Sequence, residues 1–334
     1  MSKIIKIKKG LDINLQGKAE AKVTALPMAA SYAVSPLDFE GVVPKLLVKV
    51  GEQVKAGDAL FFSKNDPRVL FTSPVSGTVT AVNRGEKRKV LNVTVQPDAT
   101  QSFKEFNIPA IEKTSKEDAT KLLLEAGLWP LIIQRPYGII ANPDDQPKAI
   151  FVSGFDSAPL AADNDVVLAN DKANLQKGFD VLARLTSGKL HRSLNAKAEN
   201  KVFEGLKGVE VHEFAGPHPA GNVGVQIHHI SPIKKGETVW TVSMVMLAAI
   251  GKLFNTGKYD VRRKVAVTGP KAVNPAYVEG YPGISIKDLK EYYNEGENLR
   301  FVSGDVLSGT TVGAEGFLGF FDNQVTILEE GNKY

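Results

Sequence analysis

The sequence has 334 residues, room for two or three domains at about 150 residues each. Its 43% hydrophobic and 23% charged residues exclude a globally disordered chain, and the absence of cysteine excludes disulfides, thiolate-held clusters, cysteine-ligated zinc and thiol catalysis within these residues. A net charge of +4 from 41 basic and 37 acidic residues leaves no footprint of a dedicated nucleic-acid binder.

The N-terminus, MSKIIKIKKG, has no apolar region of signal-peptide length. The longest apolar stretch, 242–250, is too short to cross a bilayer, which takes about 20 residues. Residues 36–96 read as short strands and turns. Leu91, Val93 and Val95 alternate with polar neighbours, the period of a half-buried strand, and Val48 and Val50 flank Lys49 in the same way. Turns are expected at Gly51-Glu52, Gly57-Asp58, Ser76-Gly77 and Arg84-Gly85. The run from Gly41 to Gly51 is echoed from Gly77 to Gly85. Two such β units, neither able to bury a face alone, predict a pseudo-symmetric sandwich or barrel. Arg84, Lys87, Arg88 and Lys89 form either a solvated hairpin tip or a docking patch for an acidic partner or anionic lipid heads.

Helical and strand patterns then alternate. Thr114 and Ser115 lie three residues before Glu117 and Asp118, a capping-box spacing. It opens a helix with Ala119, Leu122, Leu123 and Ala126 on its apolar face and Gly127 at its end. The run 149–152 reads as a buried strand and 166–169 as a second apolar run. Asp171 opens a helix bearing Leu175, Phe179, Leu182 and Leu185. A strand over 209–214 and a buried helix over 242–254 complete a parallel α/β pattern. Beyond Val261, a strand at 265–269 precedes a helix capped by Ser285 and Asp288 and carrying Leu289 and Tyr292, with later strands or turns at 301–304 and 317–321. That mixture predicts a small α+β unit of the β-grasp kind.

Four of the five histidines, His212, His218, His228 and His229, share one window. Read as neighbours on a strand, His228 and His229 point to opposite faces, and no zincin spacing occurs, so no metal site is assigned. The segment Gly216-Pro217-His218-Pro219-Ala220-Gly221-Asn222-Val223-Gly224 is either a rigid turn or a place where another molecule approaches the main chain closely. The run Ser153-Gly154-Phe155-Asp156-Ser157 has one glycine where a dinucleotide loop needs three, and no P-loop is present. No catalytic residues are assigned, because no triad or carboxylate pair stands out; the chain alone has no complete active site.

Two resemblances follow from these motifs. Residues 48–60 together with Thr72-Ser73-Pro74-Val75-Ser76-Gly77-Thr78-Val79 resemble a biotinyl/lipoyl barrel-sandwich. Where carrier members hold the modified lysine, this sequence has Asp66 followed by Pro67, with Lys64 two residues away. The resemblance therefore implies the fold without the carrier chemistry. Over essentially the whole chain, the GPHPAGNVG segment running into Val225-Gln226-Ile227-His228-His229, Gly236-Glu237-Thr238-Val239-Trp240, and Lys264-Val265-Ala266-Val267-Thr268-Gly269-Pro270 resemble the A subunit of the Na+-translocating NADH:quinone oxidoreductase. The later units are also similar to the flavin-binding subunit of complex I and the C subunit of the Rnf complex.

The resemblance implies three domains: a biotinyl/lipoyl-like barrel with an N-terminal extension (1–110), a Rossmann-like α/β domain (111–260) and a β-grasp domain (261–334). A helical, cysteine-containing region is expected beyond Tyr334. It implies a peripheral subunit on the cytoplasmic face of the bacterial inner membrane, in a six-subunit complex that oxidises NADH, reduces ubiquinone and exports Na+. No cofactor is expected on this chain; NAD, FAD, FMN, iron–sulfur and Na+ are expected in partner subunits. The chain would give docking surface and part of a ubiquinone pocket. A quinone head needs an apolar slot and one or two donors, and the loops bearing Phe155, His218, Asn222 and His228 are the candidates. A biotinyl/lipoyl carrier and a flavin- or NADH-binding redox subunit remain the alternative readings.

Overall fold

The computed structural model describes residues 4–332. Their strands form four sheets, of seven, six, four and three strands. The two smaller sheets are the predicted β units. One orders Tyr32–Val34, Val90–Pro97, Gly77–Arg84 and Gln53–Val54; the other Pro44–Leu46, Ala59–Ser63 and Asp66–Thr72. Val93 and Val95 turn inward and are fully buried, as their alternation requires. Phe61 and Phe71, cross-strand partners in the three-stranded sheet, are buried and stack with ring centroids 4.7 Å apart. The segment 48–50 is not a strand. Val48 is buried while Val50 is 62% exposed. Gly51, at φ 90°, turns the chain there, and the Glu52 carboxylate takes the Lys49 N–H at 2.6 Å that a ladder would use. Arg84, Lys87, Arg88 and Lys89 are exposed at the tip of the hairpin joining Gly77–Arg84 to Val90–Pro97.

The seven-stranded sheet has the order Ile5–Lys6, Glu210–Ala215, Lys189–Asn195, Ala149–Ser153, Val239–Ser243, Ile133–Arg135 and Ile139–Ile140. The first five run parallel; Ile133–Arg135 runs against them, and Ile139–Ile140 pairs antiparallel to Ile133–Arg135. Strand alternation decides which face each helix covers. Ile150, Val152, Trp240 and Val242 join the main core with Leu175, Phe179, Leu182, Leu247 and Ile250 from Lys172–Leu185 and Met244–Thr256. Ala149, Phe151 and Val239 meet Ile227 of Val223–Ile230 on the other face. Glycines set how closely the first two helices approach. A β-carbon on Gly178 would lie 2.5 Å from the Leu247 carbonyl oxygen, and one on Gly251 only 1.7 Å from that of Asn174.

Local signals explain the helix ends. Ser115 accepts from the Asp118 N–H at 3.0 Å, and the Asp118 carboxylate accepts from the Ser115 N–H at 3.2 Å, the reciprocal box that opens Lys116–Glu125. The apolar run near 166 overlaps the helical turn Asn164–Val167, which Asp163 caps by accepting from the Asp165 N–H. The six-stranded sheet orders Thr310–Val312, Leu299–Ser303, Gln324–Glu329, Arg263–Thr268, Ala276–Gly280 and Glu20–Ala25. The helix expected after Ser285 is the tighter 3₁₀ segment Ile286–Tyr292. Asp288 does not cap it; its carboxylate accepts from the Ala30 N–H at 3.1 Å. The leading residues thus serve two sheets: Ile5–Lys6 extends the seven-stranded sheet beside Phe214 and Ala215, and Glu20–Ala25 extends the six-stranded one.

Candidate functional site

A cavity of about 850 Å³ opens where Ala149–Ser153 and Val239–Ser243 end. In parallel α/β sheets, crevices at the carboxyl ends of strands are the usual ligand positions. Here the chain leaves Ala149–Ser153 toward Lys189–Asn195 on one side, and returns on the other as Val239–Ser243. That divergence opens the crevice. Its floor holds Ser153, Ser243 and the first turns of Val223–Ile230 and Met244–Thr256; the Ser243 hydroxyl caps the second of these by accepting from the Met246 N–H at 3.3 Å. Leu37, Asp38, Phe39 and Glu40 close it from the barrel side, and Phe321 and Asn323 from the six-stranded sheet. Phe39 packs on Phe320 and Phe321 with centroids 4.9 and 5.3 Å apart, joining these two walls.

The Gly/Pro-rich loop shapes one rim. The Ser157 hydroxyl accepts from the Gly221 N–H at 2.8 Å and meets His218 Nδ1 at 3.1 Å, and the Ser153 hydroxyl donates to the Gly221 carbonyl at 3.1 Å. A β-carbon on Gly221 would fall 2.4 Å from the Ser157 nitrogen, so this approach needs glycine. Of the four residues singled out from sequence, Phe155 and Asn222 line the cavity. Asn222 makes no side-chain capping bond to its helix, which leaves its amide for a ligand. His218 is engaged behind the rim, bonded to Ser157 and, through its backbone N–H, to Asp12 at 2.9 Å. His228 is exposed on Val223–Ile230, its ring 5.2 Å from that of His229. The two histidines are successive residues of a helix, not of a strand.

Two charged groups in the lining gave no signal in the sequence. Arg135, half-buried at the end of Ile133–Arg135, finds no hydrogen-bond partner for its Nε, and burial lowers its pKa from the ordinary guanidinium value. An under-partnered guanidinium in a cleft suits a carbonyl or anionic oxygen. Asp38 accepts from the Phe320 N–H at 2.8 Å. Burial pushes its carboxyl up to about 6; Phe320 and Arg263 pull it down, and Asp322 adds to the rise. Arg263, held down to about 10 by burial, donates to the carbonyls of Phe320 at 2.6 Å and Asp322 at 2.9 Å and so fixes the turn that grips Asp38. Arg135 and Asp38 lie more than ninety residues apart in the chain, so only the folded arrangement brings both to one cavity.

This architecture is a barrel-sandwich unit joined to α/β units, with a ligand-sized cleft where they meet. Family comparison agrees segment by segment. The NqrA N-terminal barrel-sandwich hybrid domain matches residues 5–98, the NqrA second alpha/beta domain residues 114–259, and the NQRA C-terminal domain residues 264–314. The A subunit of the Na(+)-translocating NADH-quinone reductase from Serratia proteamaculans (strain 568) is 40% identical over 98% of this chain and 74% of its own length. Its Yersinia pestis counterpart is 38% identical over 99% and 74%, and the Pseudomonas aeruginosa one 37% over 99% and 74%. The chain belongs to this family, the NqrA subunits of the Na(+)-translocating NADH-quinone reductase. Among solved structures, an air-oxidised NAD+-reducing [NiFe]-hydrogenase is similar over 66% of this chain and 48% of its own, at 16% identity and a TM-score of 0.46, too distant to carry an argument. No helix among the described residues is long and apolar enough to cross a membrane.

Proposed function

We propose that this chain is a peripheral subunit of a Na+-translocating NADH:ubiquinone reductase, giving the complex docking surface and a ubiquinone-binding cleft. The relatives over nearly its full length carry the first part. The observation carrying the second is Arg135, short of partners within an 850 Å³ cavity walled by Phe39, Phe155, Ile133 and Met244. Apolar walls suit the ring of a quinone, while Arg135 and the Asn222 amide suit its carbonyl oxygens. His218 holds the rim in shape, and His228 lies outside the cleft. The chain itself carries no redox group in this reading. NAD, FAD, FMN, iron–sulfur and Na+ belong to partner subunits of a six-subunit assembly, and the chain sits on the cytoplasmic face of the bacterial inner membrane. The three units correspond to a biotinyl/lipoyl-like barrel (1–110, with its N-terminal extension), a Rossmann-like domain (111–260) and a β-grasp domain (261–334).

A photoreactive ubiquinone analogue applied to the purified complex tests the cleft. Cross-links mapping to 131–140, 153–156 or 221–225, and suppressed by excess ubiquinone, are expected. Labelling of this chain elsewhere, or none that ubiquinone suppresses, refutes the cleft while leaving the chain's place in the complex intact. A flavin spectrum on the purified chain would instead favour the redox-subunit reading.

A further inference from the structure

We propose that His191, Glu210 and His212 form a binding site for a divalent transition-metal ion of the zinc class, at the edge of the seven-stranded sheet and apart from the cleft. Their placement follows from strand register. His191 pairs with Glu210 across the parallel ladder, and His212 pairs with Ser193. Residues two apart on a strand share a face, so all three side chains stand on the face that also bears Phe151, the partner of His191 on the other side.

The ligand atoms already converge. His191 Nδ1 is 3.0 Å from His212 Nε2 and 3.5 Å from Glu210 Oε2, and the three ligand atoms lie within 4.8 Å of one another. Two atoms each about 2.1 Å from a tetrahedral zinc stand about 3.4 Å apart, and the two shorter distances bracket that value. Small ring shifts would open room for the ion. Two imidazoles and one carboxylate are a donor set that zinc accepts, with a fourth position left for water.

The surroundings hold the ligands and leave a way in. The His191 ring stacks on Phe151 with centroids 4.6 Å apart, which fixes its plane. Lys189 takes the other carboxylate oxygen, Glu210 Oε1, at 2.6 Å, turning Oε2 toward the imidazoles. Its positive charge opposes an ion, which limits affinity. Among the described residues, the short edge strand Ile5–Lys6 pairs with Phe214 and Ala215, and the Glu210 side chain is 45% exposed.

Calorimetric titration of the full chain, stripped with chelator, with Zn2+ tests this. One saturable equivalent is expected, together with a cobalt absorption spectrum of tetrahedral type when Co2+ replaces Zn2+. His212→Ala and Glu210→Gln should each weaken binding at least about tenfold, the lower end of what even outer partners of a metal command. His228→Ala should leave it unchanged. Glu210 is exposed enough that its variant should fold, and a melting-temperature rise with Zn2+ in the parent but not in Glu210→Gln gives a second reading. Absence of a saturable equivalent, or binding that survives both ligand substitutions, overturns the proposal. Loss through His228→Ala alone would also overturn it by placing the ion on the helix.

Discussion

The carboxylate of Asp38 accepts a hydrogen bond from the backbone N–H of Phe320, 282 residues further along the chain. The bond ties the barrel unit to the six-stranded sheet at the mouth of the cleft. It also holds an acid whose pKa burial raises to about 6, against the pull of this same bond.

That rise has a definite pH signature. Between the unfolded value near 4 and the folded value of about 6, the folded chain binds more protons than the unfolded one, so stability falls as pH rises through this window. At neutral pH the ionised group costs on the order of 2 kcal/mol, discounted for its partial exposure. Asp38→Asn keeps an oxygen acceptor for Phe320. It is expected to stabilise the chain at neutral pH and to flatten this part of the profile. Urea midpoints measured on either side of the window check it; equal midpoint changes at both pH values would contradict it.

Asp260 works in the opposite direction. Burial alone would raise its pKa, but bonds from Arg262 and Lys252 hold it down to about 2, with contacts of 2.7 and 2.8 Å. Its contribution is fully present above the ordinary carboxylate range and disappears as pH falls through about 2. Asp260→Asn should cost about 2 kcal/mol at neutral pH and little in strong acid. Thermal unfolding across pH reads the difference.

Arg135→Gln addresses the cleft. If its guanidinium meets a quinone carbonyl, the variant complex should show a ubiquinone KM raised about tenfold, a loss of roughly 1.4 kcal/mol, with the KM for NADH unchanged. Steady-state kinetics of the membrane complex decide this. An unaltered ubiquinone KM removes Arg135 from the site.

Gly251→Ala probes the helix pair. Its added methyl carbon would stand 1.7 Å from the Asn174 carbonyl oxygen, a backbone atom that cannot swing aside. Overpacking of this kind costs about 3 kcal/mol, although alanine favours helices over glycine. Chemical denaturation should show the loss; a neutral or stabilised variant would mean that the helices can separate without penalty.

The barrel hairpin gives a chemical test. Asp66 is bound by Arg68 at 2.7 Å, and Arg68 also reaches Asp144 of the α/β unit at 2.8 Å. This position therefore fastens the hairpin to the rest of the chain and offers no amine. Mass spectrometry of protein from its native host should find Lys64 unmodified. A lipoyl or biotinyl adduct there would restore the carrier reading.

How legible each feature was depended on its range. The Ser115–Asp118 box and the apolar stripe of Lys172–Leu185 are local patterns and were readable directly. The strand Lys189–Asn195 was not, because His191, Arg192 and Ser193 are buried polar residues that mask an apolar run. Phe155 and Asn222 line the cavity, and a strand end and a glycine-rich loop mark them in the sequence. Arg135 and Asp38 carry no local mark; His212 stands out only as one of a window of histidines, and its meeting with His191 and Glu210 depends on the register of two parallel strands. Val48 and Val50 misled because alternation over three residues is also compatible with a turn.

The placement of Ile5–Lys6 and Glu20–Ala25 bears on how the polypeptide matures. During synthesis these segments emerge well before Phe214 and Ala276, the residues beside which they will lie. They must wait, unpaired, while roughly two hundred further residues are threaded out, and long-range closures of this sort are slow steps. Each then closes an outer edge of its sheet, much as a strap is buckled, so trimming or bulky fusion at this end should hamper final assembly.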